Sequence, residues 1–95
     1  MSSDARARAL AIVNGRVAAL DGTDGTIHID PKDLARRIFP DSRSSQRGPR
    51  CPESRHVHLM SAVLLDWSRA PPAGVEVQEV EAFDRVILQV RRVRT

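Results

Sequence analysis

The stretch Pro52-Glu-Ser-Arg-His-Val-His-Leu-Met-Ser-Ala-Val-Leu-Leu-Asp-Trp-Ser-Arg69 is the longest helical pattern in the chain and holds its single tryptophan. At 100° of rotation per residue, its apolar side chains recur on one side of a helix. That side carries Val57, Met60, Val63, Leu64 and Trp67. The apolar arc is wide, roughly 160° against about 100° for an ordinary surface helix. The pattern therefore predicts a central helix that contacts several neighbouring elements.

The polar face of this predicted helix also carries Asp66 and Arg69, but its first two turns are the part expected to contact a partner. Ser54, Arg55 and His58 lie opposite the apolar arc, whereas His56 falls within it and is expected to pack in the core. The helix is expected to end before Pro71-Pro72, because a residue that precedes proline is disfavoured in the α region. What remains for contact with a partner is a short polar N-terminal face.

Length and composition indicate one domain over residues 1–95. The chain is 41% hydrophobic and 28% charged, which is typical of a soluble globular protein. Its single cysteine excludes an internal disulfide and fits a reducing compartment, so a cytoplasmic location is expected. No apolar run approaches 18 residues and no secretory signal is evident, so we expect no membrane partner.

Positive charge is concentrated in the middle of the chain. Arginine supplies nearly all of it, with fourteen arginines against one lysine. Residues 34–72 hold seven arginines and three acidic residues, a net charge of +4, whereas the two flanking parts are close to neutral. A basic patch is expected of proteins that bind phosphate groups, but it is also common on ordinary solvated surfaces.

Residues 9–20 admit two interpretations. Leu10, Val13, Val17 and Leu20 are spaced as one helical stripe, and the alanines between them favour helix. In contrast, Asn14-Gly15 is a dipeptide typical of hairpin turns. We prefer the helix, because alanine is poor in strands and the alternation expected of a strand is missing.

A short strand and a second helix are predicted next. Thr26–Ile29 alternates with period two and places its isoleucines on one face. Asp30 can accept hydrogen bonds from first-turn amides, and Pro31 suits the first helical position, so a helix is expected over residues 31–38. Leu34, Ala35 and Ile38 are expected to face inward. Pro40 ends this helix.

Residues 41–51 form a polar segment without apolar periodicity, and it carries Arg43, Arg47 and Arg50. A loop of this length favours a binding or mobile role. Two strands are predicted after the central helix, over residues 75–83 and 85–93. A shift in the alternation of the first strand predicts a bulge near Gln78, and its glutamates are expected to pair with arginines of the second strand.

The order helix, short strand, short helix, long helix, β-hairpin resembles the winged helix-turn-helix superfamily. The resemblance rests on topology and on Ile27-His-Ile-Asp-Pro-Lys-Asp-Leu-Ala-Arg-Arg-Ile38, which is similar to the strand and helix that precede the recognition helix in such domains. It implies an α+β, winged-helix-like fold with three helices, a short strand after the first helix and a C-terminal β-hairpin. It also implies that the central helix enters the major groove of DNA. The long segment 41–51 departs from the usual short turn.

These observations predict a small non-enzymatic protein that binds double-stranded DNA, in a regulatory role and without a cofactor. The residues expected to contact nucleic acid are Arg43, Arg47, Arg50, Ser54, Arg55, His58, Arg91 and Arg92. The alternative is a protein–protein interaction module, either a small subunit, an inhibitor or a homodimer, that uses the hairpin edge and the exposed helix face. Cys51, His56 and His58 have metal-ligand chemistry, but the two histidines diverge on a helix, so no metal site is expected.

Overall fold

The computed structural model describes residues 3–20, 25–42, 52–82 and 85–93 of the chain. Within these ranges the fold is α+β, with three helices and one three-stranded antiparallel sheet, in the order predicted from the sequence. The elements are α1 (Ser3–Ala18), β1 (Thr26–Ile29), α2 (Pro31–Ile38), α3 (Ser54–Ser68), β2 (Val75–Glu81) and β3 (Val86–Arg92).

Helix α1 decides between the two interpretations of residues 9–20 in favour of helix, since Asn14 and Gly15 lie inside it. Its buried side is formed by Ala5, Ala9, Val13 and Val17, followed by Leu20 just beyond the helix. Leu10, which the sequence placed on this stripe, is half-buried. Asn14 Oδ1 accepts a hydrogen bond of 3.2 Å from the indole Nε1 of Trp67, so the turn-forming residue instead anchors α1 to α3.

Helix α2 spans the predicted residues because its end signals are local. The Asp30 carboxylate caps the first turn by accepting the backbone N–H of Lys32 at 2.8 Å, and Pro31 occupies the first turn. The buried residues of α2 are Pro31, Leu34, Ala35 and Ile38, which confirms the predicted inward face.

Helix α3 is the central helix that its wide apolar arc predicted. It packs against α1, α2 and β3. The buried residues of α3 are Val57, Met60, Val63, Leu64 and Trp67, as expected from the periodicity. Ser54, Arg55 and His58, in its first two turns, are exposed to solvent.

The sheet has the strand order β1-β3-β2, so β3 is central and β2 is an edge strand. Directly opposed residues share a face, and the pairs Ile29↔Leu88 and Ile27↔Val90 place the buried residues of β1 and β3 against the helices. The outer face carries Thr26, His28, Glu76, Gln78, Val80, Ile87, Gln89 and Arg91.

The predicted bulge near Gln78 is wrong. The pairing of β2 with β3 runs from Val75↔Arg92 to Glu81↔Val86 without a skipped residue. Val80 therefore lies on the outer face with 37% of its surface exposed, while Glu79 takes the helix-facing position opposite Leu88. The expectation failed because it turned every valine of the strand toward the core, whereas the second half of this edge strand is exposed on both faces.

Candidate functional site

The candidate nucleic-acid surface is centred on the first two turns of α3. Ser54, Arg55 and His58 are all exposed there, on the side of the helix opposite the core. Three further predicted residues lie outside the described part of the chain: Arg43, Arg47 and Arg50. In sequence, the segment that carries these arginines leads directly into α3, between Ser42 and Pro52.

Arg55 makes a local ion pair at the start of α3. Its Nε donates to Glu53 Oε2 at 2.9 Å, and the Arg55 side chain is 77% exposed. Exposed pairs of this kind contribute little to stability, because solvent and salt weaken the attraction. A phosphate group that approached this end of α3 could therefore replace the Glu53 carboxylate as the partner of the Arg55 guanidinium, at a small cost in free energy.

Arg91 and Arg92 lie on opposite faces of β3, because successive strand residues alternate. On the outer face, Arg91 donates to Glu76 Oε2 at 2.9 Å, which confirms the predicted pairing for this glutamate. Glu79 and Glu81 instead lie opposite Leu88 and Val86. Arg92 is half-buried on the helix-facing side, opposite Val75. The two arginines therefore do not form one joint cationic patch.

A cluster that the sequence did not reveal joins the end of α2 to the start of α3, and we call Ser42, Glu53 and His56 the junction clamp. The backbone N–H of Glu53 donates to Ser42 Oγ at 2.9 Å. The same Oγ lies 2.6 Å from His56 Nδ1, and the His56 side chain is 18% exposed. The clamp therefore holds together the two described ends that flank the arginine-rich segment.

The junction clamp contains a serine, a histidine and a carboxylate, but not in the geometry of a hydrolase. A serine nucleophile needs the histidine to take its proton at one ring nitrogen while a carboxylate holds the other nitrogen. Here Ser42 Oγ and Glu53 Oε2 both lie at Nδ1, at 2.6 and 3.5 Å. Ser42 Oγ also accepts the Glu53 amide. The contacts consequently link two helices and form no proton relay.

Phe39 completes this junction. Its ring stacks on His56, with the centroids 4.1 Å apart and the ring planes 12° from parallel. Phe39, His56, Glu53 and Arg55 contribute to the wall of an open cavity of about 510 Å³. The position of His56 within the apolar arc of α3 was the signal for its burial. Two of its partners, Phe39 and Ser42, lie across the arginine-rich segment and leave no local pattern.

A second tertiary contact fixes the β1–α2 corner against the hairpin. The Arg85 guanidinium donates to both carboxylate oxygens of Asp30, at 2.6 and 2.7 Å. Burial raises the pKa of the Asp30 carboxyl, but the hydrogen bonds from Arg85 and from the Lys32 amide outweigh it, so the pKa lies below its ordinary value. Asp30 is thus both the cap of α2 and the anchor of β3.

The described residues contain no cluster of three or more histidine, cysteine, aspartate or glutamate side chains that could hold a metal ion. Of the proposed ligands, Cys51 lies outside the described residues, and His56 is engaged by the junction clamp. Across the same described ranges, no helix has both the length and the apolar character needed to cross a membrane.

No protein-family model matches this chain, and no curated protein or solved structure is detectably similar to it.

Proposed function

We propose that this chain is a small winged-helix-like protein that binds double-stranded DNA through the N-terminal turns of α3. The observation that carries the proposal is the exposed polar start of α3, which directly follows an arginine-rich segment in the chain. The element order α1-β1-α2-α3-β2-β3 supports it, because this is the order that the winged-helix resemblance implies.

The chemistry of this end of α3 suits a phosphate backbone. A helix N-terminus carries partial positive charge and free backbone N–H groups, which favour anions. Arg55 adds a guanidinium, and Ser54 and His58 add hydrogen-bonding groups on the same exposed side. Arg43, Arg47 and Arg50 would supply further phosphate contacts, since the planar guanidinium matches phosphate geometry.

The hairpin contributes less to the proposed contact. Its edge strand carries three glutamates, Glu76, Glu79 and Glu81, which would repel phosphate. Arg91 and Arg92 face opposite sides of the sheet, so they do not reinforce each other in one phosphate contact. The proposal therefore assigns most of the affinity to α3 and the segment before it, with Arg91 and Arg92 in a minor role.

Fluorescence anisotropy with a labelled DNA duplex, across a salt series that begins near 50 mM, tests the proposal. Counterion release makes affinity fall as the salt concentration rises. The slope of log K against log salt concentration is about −0.9 for each phosphate neutralised. Replacing Arg43, Arg47 and Arg50 together with glutamine should flatten the slope by up to about 2.7. Absence of binding at the lowest salt would refute the proposal.

A matched pair of single variants locates the surface. Arg55→Gln removes an exposed cation from the proposed face, and Arg8→Gln removes an exposed cation from α1. Both change the net charge equally, so a general electrostatic effect would weaken binding equally. We expect Arg55→Gln to lower affinity severalfold more than Arg8→Gln, and equal losses would argue against a site at α3.

A further inference from the structure

Strand β2 is the longer of the two edge strands of the sheet. Strand β3 is paired on both sides, and β1 is only four residues long, whereas β2 spans seven residues with one side unpaired by any described strand. Exposed edge strands invite pairing with another chain, and proteins often protect them with bulges, prolines or charged side chains. Residues Val75–Glu81 contain no proline, and their register contains no bulge, so the glutamates of the strand are the one such protection present in it.

Two hydrogen bonds establish which backbone groups of β2 face this open side. The N–H of Ala82 donates to the Arg85 carbonyl at 2.8 Å, and the N–H of Val93 donates to the Gly74 carbonyl at 2.9 Å. Both pairs continue the β2–β3 register. Hydrogen-bonded pairs alternate along an antiparallel ladder. Glu76, Gln78 and Val80 therefore bond to β3. The N–H and C=O groups that point outward belong to Val75, Val77, Glu79 and Glu81.

The side chains along this edge give it a chemical preference. Glu79 and Glu81 are exposed on the helix-facing side of the strand, two residues apart. Between them, Val80 is exposed on the outer face. The remaining glutamate of the strand, Glu76, is engaged by Arg91. An incoming strand would thus meet two carboxylates on one face and an apolar side chain on the other.

We propose that the edge of β2 binds an extended basic segment of a partner protein by antiparallel strand addition. The segment places lysine or arginine opposite Glu79 and Glu81, and an apolar residue opposite Val80. Main-chain hydrogen bonds from the outward groups of β2 supply affinity, and the alternating side chains supply specificity. This site is separate from the DNA surface proposed at α3, and neither depends on the other.

Charge favours such a partner over a second copy of this chain. An antiparallel pair of β2 strands centred on Gln78 would overlap all seven residues, and it would bring six glutamates into one strand pair. The Glu79 side chains of the two copies would be diagonal neighbours on one face. Charged residues on the inward face of an edge strand are a known protection against self-pairing. A basic segment converts the same carboxylates into attractive contacts.

Backbone amide exchange measured by NMR tests the proposal on the whole chain. The probe is a capped eight-residue peptide that alternates lysine and valine. In the free protein, the Gln78 and Val80 amides should exchange slowly, and the Val77 and Glu79 amides fast. With peptide at ten times its Kd, only about one protein molecule in eleven is free of peptide. Because these amides exchange only in the free protein, exchange at Val77 and Glu79 should slow about tenfold. Peptide binding without this protection would overturn the proposal.

Two control peptides separate strand addition from general attraction. A peptide of the same composition with its lysines adjacent keeps the charge but loses the alternation, and a peptide that alternates glutamate and valine reverses the charge. We expect both to bind at least several times more weakly. Equal binding of the first would show that only net charge matters. Protection of Val77 and Glu79 that depends on protein concentration without peptide would show that the occupant is a second copy.

Variants of β2 test the two parts of the contact. The double variant Glu79→Gln, Glu81→Gln should lower the affinity for the peptide about 2- to 30-fold, as expected for the loss of two cross-strand charge pairs. Glu76→Gln removes a charge that Arg91 already neutralises, so it should have a smaller effect. Glu79→Pro removes an outward N–H that β3 does not use, so the hairpin should survive. It should weaken binding more than Glu79→Gln, and equal loss would exclude main-chain pairing.

Discussion

Replacing Asp30 with alanine is expected to destabilise the fold by about 2–3 kcal/mol, because one carboxylate serves two elements. It caps α2 through the Lys32 amide at 2.8 Å, a contact worth about 1 kcal/mol. It also accepts two hydrogen bonds from Arg85, at 2.6 and 2.7 Å. The Asp30 side chain is 25% exposed and the Arg85 side chain 20%. Solvent therefore limits the contribution of this ion pair to stability to about 1–2 kcal/mol.

Asp30→Asn separates the two contributions. Asparagine caps helices about as well as aspartate, so this variant keeps the cap but loses the charge that Arg85 requires. We expect it to cost about 1–2 kcal/mol, less than the alanine variant. In the double-mutant cycle of Asp30→Ala with Arg85→Ala, the coupling energy should be about 1 kcal/mol or more, since the residues are in direct contact.

Urea denaturation followed by tryptophan fluorescence measures these differences. Trp67 is the single tryptophan, and it is buried between α1 and α3, so its emission reports on the core. A loss of 2–3 kcal/mol should lower the urea midpoint by roughly 1–2 M. If Asp30→Ala lies within about 0.5 kcal/mol of the unaltered protein, or the cycle shows no coupling, the reasoning is refuted.

The same pair predicts a pH dependence. The pKa of Asp30 is lowered in the folded protein, so the folded state favours the charged carboxylate. Its contribution is complete above the unfolded-state value of about 3.9 and is lost as the pH falls through the lower, folded-state pKa. In urea titrations between pH 7 and pH 3, the stability difference between the unaltered protein and Asp30→Asn should therefore shrink below about pH 4. A constant difference would contradict this assignment.

Three other substitutions test separate features of the fold, each by urea denaturation. Gly15→Ala should stabilise by about 0.5–1 kcal/mol, because an added Cβ meets no described atom within 4 Å beyond its own stretch of helix, and alanine is the better helix former. Ser42→Ala should cost about 1–2 kcal/mol and speed amide exchange at Glu53, because it leaves the partners of the junction clamp without their hydroxyl. Met60→Ala should cost about 2–5 kcal/mol, because Met60 is fully buried.

Each of these three predictions has an outcome that would contradict it. A destabilising Gly15→Ala would mean that the helix packs closely against another part of the chain at this position. Unchanged exchange at Glu53 in Ser42→Ala would mean that the Ser42 hydroxyl does not hold the start of α3. A neutral Met60→Ala would mean that the α3 core collapses around the missing side chain.

The sequence predicted the helices well because their signals are local. Asp30, Pro31 and Pro40 lie at the ends of α2, and each acts within a turn of its own position. The buried face of α3 followed from periodicity alone, since a regular helix repeats its faces without help from other elements. In α1, Asn14-Gly15 suggested a turn, but the helical preference of the surrounding alanines prevailed.

The candidate site was only partly predictable. The exposure of Ser54, Arg55 and His58 followed from the same helical periodicity. The junction clamp did not, because Ser42 and His56 are separated by the arginine-rich segment, and only packing of α2 against α3 brings them to 2.6 Å. The sequence also did not predict that Glu79 lies on the helix-facing side of β2, because the predicted bulge assigned it to the outer face.

By itself, the sequence determined where the helices and strands lie, because capping, proline restriction and side-chain periodicity act over a few residues. Only the tertiary structure decided that β2 is an edge strand, that Val80 faces outward and that Arg85 binds Asp30. Those outcomes depend on which distant elements come together, as residues 30 and 85 do. The physical reason is that a strand edge or an ion pair becomes defined only when its neighbours are in place.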